Sequence, residues 1–257
     1  MSKLFLDLGN TRLKWASADT IGGWLEHGDA AHDALDTAFA AWRTLPAPMS
    51  VHGACVAAPA LRERIDAFVR AHWACAIDWL APSRHALGVE NRYRRLEQQG
   101  PDRWAAVLGA RARYPGEALV IASAGTALTV DALTADGIFL GGMILPGYRL
   151  MKRSLATGTA RLPDAEGHLH DYPTSTEDAI ETGIRTALAA SVDAMVARLH
   201  ARGETPRLLL AGGDASQLTP LLNTPATLVD NLVLHGLAAL AFAPQPAPRP
   251  DHGSPHV

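Results

Sequence analysis

An apolar run that stops in a polar turn and then resumes, LFLDLGNTRLKW at residues 4–15, limits this chain more than any other feature, because the same device returns a hundred residues later. Leu4, Phe5 and Leu6 read as a buried strand, Gly9-Asn10 as a tight-turn dipeptide, and Leu13-Lys14-Trp15-Ala16 as the returning strand of a β-hairpin. Asp7 leaves the first strand where it meets solvent or a ligand. Gly9 allows close backbone approach, and Asn10, Thr11 and Lys14 offer an amide, a hydroxyl and a cation, the groups a polyphosphate requires. A plain hairpin with a solvated tip has the same pattern. The echo is LVIASAGTALTVDA at 119–132, where aligning Gly125 with Gly9 sets Ser123 opposite Asp7. A third apolar strand, in RLLLAGGDA at 207–215, ends in a glycine pair. That pair reads either as backbone close to a flat or phosphorylated ligand or as a strand-to-helix turn capped by Asp214. Three such turns together imply two similar α/β domains facing each other across a nucleotide cleft.

The 257 residues are long enough for two domains of about 120 residues each. With 48% hydrophobic and 19% charged residues the chain reads as soluble and globular, able to bury a sizeable core. A net charge of −3 and a pI near 6.4 give no global reason to expect nucleic acid or an anionic membrane as partner, so an anionic ligand has to be bound locally. Cys55 and Cys75 have no C-x-x-C spacing, read as free core thiols, and fit a reducing cytoplasm. No secretory leader is read at the N-terminus, since Asp7 follows only three apolar residues. TLVDNLVLHGLAALAFA at 227–243 carries Asp230, Asn231 and His235 and reads as a buried helix rather than a membrane span. The proline-rich residues 244–257 read as a disordered tail. Helical patterns lie at 62–73, 103–114 and 176–200, and GGMILPGYRL at 141–150 reads as a Gly/Pro-rich turn. The break at Tyr114-Pro115-Gly116 places a boundary between a domain of residues 1–116 and one of 117–243.

The blocks DLGNTRLK (7–14), GPDRW (100–104), SAGTALTVD (123–131), GGMILPG (141–147), STEDAIETG (175–183) and AGGDA (211–215) occur in the order found in type III pantothenate kinases, and the chain resembles that family over about its first 215 residues. The resemblance implies two RNase H-like domains of the actin/hexokinase/Hsp70 (ASKHA) type and a homodimer. It also implies ATP-dependent phosphorylation of the 4′-hydroxyl of (R)-pantothenate, the first committed step of coenzyme A synthesis. By position, Asp7 would hold Mg²⁺ through water. The hairpin of Asp7, Leu8, Gly9, Asn10, Thr11, Arg12, Leu13 and Lys14 would contact ATP, and Thr126 would meet it from the other domain.

Asp102, in Gly100-Pro101-Asp102-Arg103-Trp104, sits in the first turn of a helix, where an acid is stabilised by the dipole and stays ionised. The resemblance makes it the general base for the acceptor hydroxyl. With Tyr93, Gly100, Pro101 and Arg103 it would form the pantothenate site, and Thr176 would come from the partner subunit. On the residues alone, Thr176 reads as the N-cap of its helix. Ser123 stands where much of the family carries an aspartate that coordinates K⁺ or NH₄⁺. A neutral hydroxyl is a poorer ligand, which puts a monovalent-cation site in question. The arginines around Tyr93 read as a solvated loop rather than an RNA surface, and the H-x-H at His168 and His170 lacks further ligands at metal spacing. Two competing readings are a kinase for another small alcohol such as a sugar, and a non-catalytic regulatory or accessory protein. An intact set of Asp7, Lys14, Asp102 and Arg103 separates the second from an enzyme.

Overall fold

The two hairpins found in the sequence head two sheets of matching topology in the computed structural model, which describes residues 2–164 and 166–244. The proposed tail lies outside the described residues from 245 onward. The first sheet contains β1 (Lys3–Leu8), β2 (Arg12–Ala18), β3 (Trp24–Ala31), β4 (Val51–Cys55) and β5 (Ile77–Trp79) in the order β3-β2-β1-β4-β5. The second repeats that order with β8 (Leu119–Ala124), β9 (Ala127–Leu133), β10 (Ile138–Pro146), β11 (Arg207–Ala211) and β12 (Ala226–Leu228) as β10-β9-β8-β11-β12. In each sheet an antiparallel meander is followed by parallel strands reached through helical crossovers. Beyond β10, the second sheet also takes β6 (His85–Ala86) and β7 (Val89–Asn91) from before the Pro115-Gly116 break.

Side-chain parity on the central strands decides what enters the space between the sheets. Along β1, Leu4, Leu6 and Leu8 pack outward against α1 (Leu35–Thr44) and α2 (Pro59–Trp73). Phe5 packs inward, and Asp7, two residues on, shares its face. Along β8, Val120, Ala122 and Ala124 meet α5 (Thr176–His200), while Leu119, Ile121 and hence Ser123 face inward. Full burial of each large apolar side chain contributes about 1.5–3 kcal/mol, and a one-residue slip would turn the set inside out. The α5 stripe of Ile180, Ile184, Leu188, Val192, Val196 and Leu199 follows the helical period and covers the outer face of the second sheet.

Between the sheets lie α3 (Pro101–Arg113) and α7 (Leu232–Phe242), each following the last parallel strand of its sheet's five-strand repeat. Ala105 of α3 and Leu234, Leu237 and Ala238 of α7 pack on the first sheet, while Trp104, Val107 and Leu108 pack on the second. The helices cross through two glycines. A Cβ at Gly109 would lie 2.3 Å from the Leu232 carbonyl oxygen, and one at Gly236 would lie 1.9 Å from that of Ala105, so only glycine admits this approach.

Three sequence readings change. Residues 141–146 belong to the long strand β10 rather than a turn: Gly141, at φ +98, lies at a β-bulge, and Gly142 passes so close to Asp131 that a Cβ would collide with it. The 227–243 segment is not one helix. It splits into β12 and α7 at Asn231, whose φ of 55 suits the short polar side chain of asparagine. The two cysteines are free but only half-buried.

Candidate active site

The tips of both hairpins meet between the sheets, with the Thr11 and Thr126 hydroxyls hydrogen-bonded at 2.7 Å. Beside them a cavity of about 170 Å³ is lined by Asp7, Gly9, Lys14, Asp102, Arg103 and Ser123, with Thr129, Gly212 and Asn231 completing its polar and glycine-bearing wall. Asp7 and Lys14 are cross-strand partners in the first hairpin, as are Ser123 and Thr129 in the second. The echo therefore preserves geometry and changes chemistry: an acid and a cation in one hairpin correspond to two hydroxyls in the other.

Asp102 enters from the N-terminus of α3. Pro101 takes the first helical position, where its missing N–H costs no helical bond. The carboxylate folds back so that Oδ1 accepts the Arg103 backbone N–H at 2.8 Å. A Cβ at residue 100 would stand 2.4 Å from that oxygen, so Gly100 clears the space in which the carboxylate turns. Burial raises the Asp102 pKa, opposed by the Arg103 N–H and guanidinium, which contrasts with the plain dipole-stabilised acid expected from the sequence. Asp7 is pushed up to about 7 by burial and by the facing Asp102 carboxylate, with Lys14 pulling in the other direction. Asp7 is opposed by Lys14 and Asp102 by Arg103, whose charge Asp131 already shares, and the negative charge left over suits a bound divalent cation. Among the described residues no cluster of three or more His, Cys, Asp or Glu side chains is arranged to hold a metal, so such an ion would take most of its ligands from phosphate and water, as Mg²⁺ does.

The remaining expected residues divide. Tyr93 joins the site through its hydroxyl, which accepts from Arg103 Nη1 at 3.1 Å. Arg103 is almost fully buried, and Asp131 accepts from both its Nε, at 3.1 Å, and its Nη2. Leu8 and Leu13 are core side chains and offer a ligand only backbone. Arg12 reaches sideways to Asp29 of β3, and Asn10 is exposed at the tip. Thr176 lies outside this cavity, on a groove between α4 (Tyr148–Gly158) and α5. It is not the N-cap: Ser175 fills that position, its hydroxyl accepting the Asp178 N–H at 3.2 Å. Asp214 precedes α6 (Ala215–Leu218) without a side-chain cap bond. Gly212, at φ +97, turns the chain over Ala124, where a Cβ would meet the carbonyl at 2.1 Å. Asn231 is a wall residue that sequence reasoning passed over. Its signal was an asparagine directly ahead of an apolar helical run.

The profile of the family described as type III pantothenate kinase matches residues 3–198. A protein of Chromobacterium violaceum named type III pantothenate kinase is 43% identical over 244 residues, 93% of this chain and 99% of that protein. Among solved structures, a conserved Baf family protein of Campylobacter jejuni superimposes with a TM-score of 0.59 at 22% identity, over 92% of this chain and 96% of that one. The activator of the 2-hydroxyisocaproyl-CoA dehydratase of Clostridium difficile, solved with bound ADPNP, gives 0.55 at 14% identity, over 94% of this chain and 93% of that one. These two likenesses concern the fold alone, mixed α/β sheets in two sub-domains of RNase H-like type, as the resemblance in the sequence implied.

Proposed function

The chain belongs to the type III pantothenate kinase family, and on that premise we propose that it transfers the γ-phosphoryl group of ATP to the 4′-hydroxyl of (R)-pantothenate, opening coenzyme A synthesis in the cytoplasm. The observation that carries this reading is the placement of Asp102, held by the Arg103 N–H, in one cavity with Asp7 and Lys14. Phosphoryl transfer through a loose transition state asks for positioned charge and an oriented hydroxyl rather than covalent help from the protein.

In this assignment Lys14 neutralises phosphate oxygen, and Asp7 would hold, through water, a divalent cation that would supply further charge neutralisation. Asp102 takes the hydroxyl proton on a carboxylate oxygen as the acceptor oxygen bonds to phosphorus and the bond to ADP breaks. Its raised pKa makes it a better base than a solvated aspartate. Tyr93 and the Arg103 face left by Asp131 orient the acceptor. Because Ser123 and Thr129 offer only hydroxyls, we assign the second hairpin a weak demand for K⁺ or NH₄⁺.

We further propose a homodimer in which Thr176 serves the partner's site. Supporting this, Thr176 opens not onto its own chain's cavity but onto an apolar groove of about 510 Å³ lined by Met151, Leu155, Leu162 and Ile180. The functional reading is tested by a coupled ADP-release assay with pantothenate against a panel of sugars. Turnover with pantothenate is expected. Turnover only with a sugar would reassign the acceptor, and none with any acceptor would return the chain to an interaction role.

A further inference from the structure

Asp131 carries a buried charge that none of the steps above uses. It lies on β9, the strand that leaves the Thr126 tip, and is 2% exposed. Its carboxylate has room only because residue 142 on the neighbouring strand is glycine, where a Cβ would come within 2.3 Å of Oδ1. Both carboxylate oxygens accept from Arg103, Oδ2 from Nε at 3.1 Å and Oδ1 from Nη2, a planar fork that fixes the guanidinium in position and in rotation. The remaining nitrogen, Nη1, donates to the Tyr93 hydroxyl at 3.1 Å, and the Tyr93 ring lies flat against Phe139, with centroids 6.3 Å apart and an interplanar angle of 10°. Three of the five guanidinium N–H groups, the Nε/Nη2 fork among them, are therefore engaged before any acceptor arrives.

We propose that Asp131 is a positioning residue for acceptor selection: acting through Arg103, it sets the Tyr93 hydroxyl and the one guanidinium edge left to the acceptor. The assignment rests on the kinase reading above. It has two consequences. The acceptor meets only the two guanidinium N–H groups that Asp131 and Tyr93 leave, one on Nη1 and one on Nη2, in directions the Asp131 fork fixes. The strand that carries a phosphate-side hydroxyl at Thr129 also carries, two residues on and on the same face, the carboxylate that orders the acceptor side. Removing that carboxylate leaves a buried guanidinium without its counter-charge, and the group then turns toward other partners or solvent. Acceptor binding suffers first, because a loosened supporting group misplaces the group it supports.

The experiment combines Asp131→Asn with Tyr93→Phe. In the wild-type protein the Arg103 Nε–H should give a slowly exchanging side-chain NMR resonance without any ligand. In Asp131→Asn that protection should be lost while the melting curve stays cooperative. With pantothenate as acceptor, Asp131→Asn should raise its KM tenfold or more and change the KM for ATP less than twofold, and Tyr93→Phe added to it should cost less than Tyr93→Phe alone. An unchanged acceptor KM, equal losses for both substrates, or full additivity in the cycle would overturn the assignment. If Asp131→Asn does not fold, Arg103→Lys keeps the charge opposite Asp131 without the fork, and the same non-additivity with Tyr93→Phe is required of it. A wild-type protein that does not turn over pantothenate would refute the acceptor reading alone, because the NMR comparison tests the Asp131–Arg103 link without a substrate.

Discussion

Asp7 holds its proton to about pH 7 in the folded chain, while an aspartate in the unfolded chain releases it near 3.8. Between those values the folded state binds the extra proton. Stability of the ligand-free protein therefore falls as pH rises from about 4 to about 7 and then levels off. Asp102, raised in the same direction, adds to the trend. Melting temperatures measured from pH 5 to 8 should show this decline in wild type and a shallower one in Asp7→Asn, with the variant melting higher than wild type at pH 8. A decline that Asp7→Asn leaves intact would place the proton uptake elsewhere. For Asp102→Asn, the fold and ATP binding should persist while kcat drops by a factor on the order of 10² to 10⁴, the usual loss when a positioned general base is removed. Steady-state kinetics with pantothenate and nucleotide binding by calorimetry check both halves. Near-wild-type turnover would remove Asp102 from its role.

The α3–α7 crossing holds the two sheets at the distance the cavity needs, because α3 presents Asp102 at its N-terminus and α7 begins at the cavity wall. Gly236→Ala puts a methyl group against the Ala105 carbonyl, where neither helix backbone can yield without moving its sheet. Such overpacking should cost about 1–3 kcal/mol, read as a lower urea midpoint with an unchanged slope. A variant as stable as wild type would show that the crossing relaxes freely. Neither glycine stands out in the sequence, because the reason for each is a partner more than a hundred residues away. Local signals fared better. Both hairpins, the helix opened by Pro101 and the stripe of α5 were legible, since turn chemistry and helical period are written in neighbouring residues. The strand β10 was not, because its glycines, read as a turn, serve a bulge and the clearance over Asp131. The break at Asn231 was hidden in an apolar run for the same reason. At the cavity, the acids and the lysine were legible as a set, whereas the Asp131–Arg103 fork depends on two sheets meeting.

At the scale of the assembled molecule, the proposed dimer makes a prediction that no single chain can imitate. In that arrangement each chain contributes its Asp102 to one site and its Thr176 to the other. Asp102→Asn and Thr176→Val then impair every site in their respective homodimers, the first by removing the base and the second by removing a hydroxyl that binds the acceptor. In a mixed dimer one site collects both lesions. The other receives Asp102 from the Thr176→Val chain and Thr176 from the Asp102→Asn chain, so it is intact. Random re-pairing of equal amounts makes about half of the dimers mixed, each with one good site, so activity should approach roughly a quarter of the wild-type level. If Thr176 instead served the site of its own chain, exchange would create no intact site and the mixture would stay at the average of the two variants. Native mass spectrometry on the same sample measures chain exchange. Full exchange with flat activity would refute the shared site, whereas recovery tracking the mixed-dimer fraction would tie the groove between α4 and α5 to catalysis in the neighbouring chain.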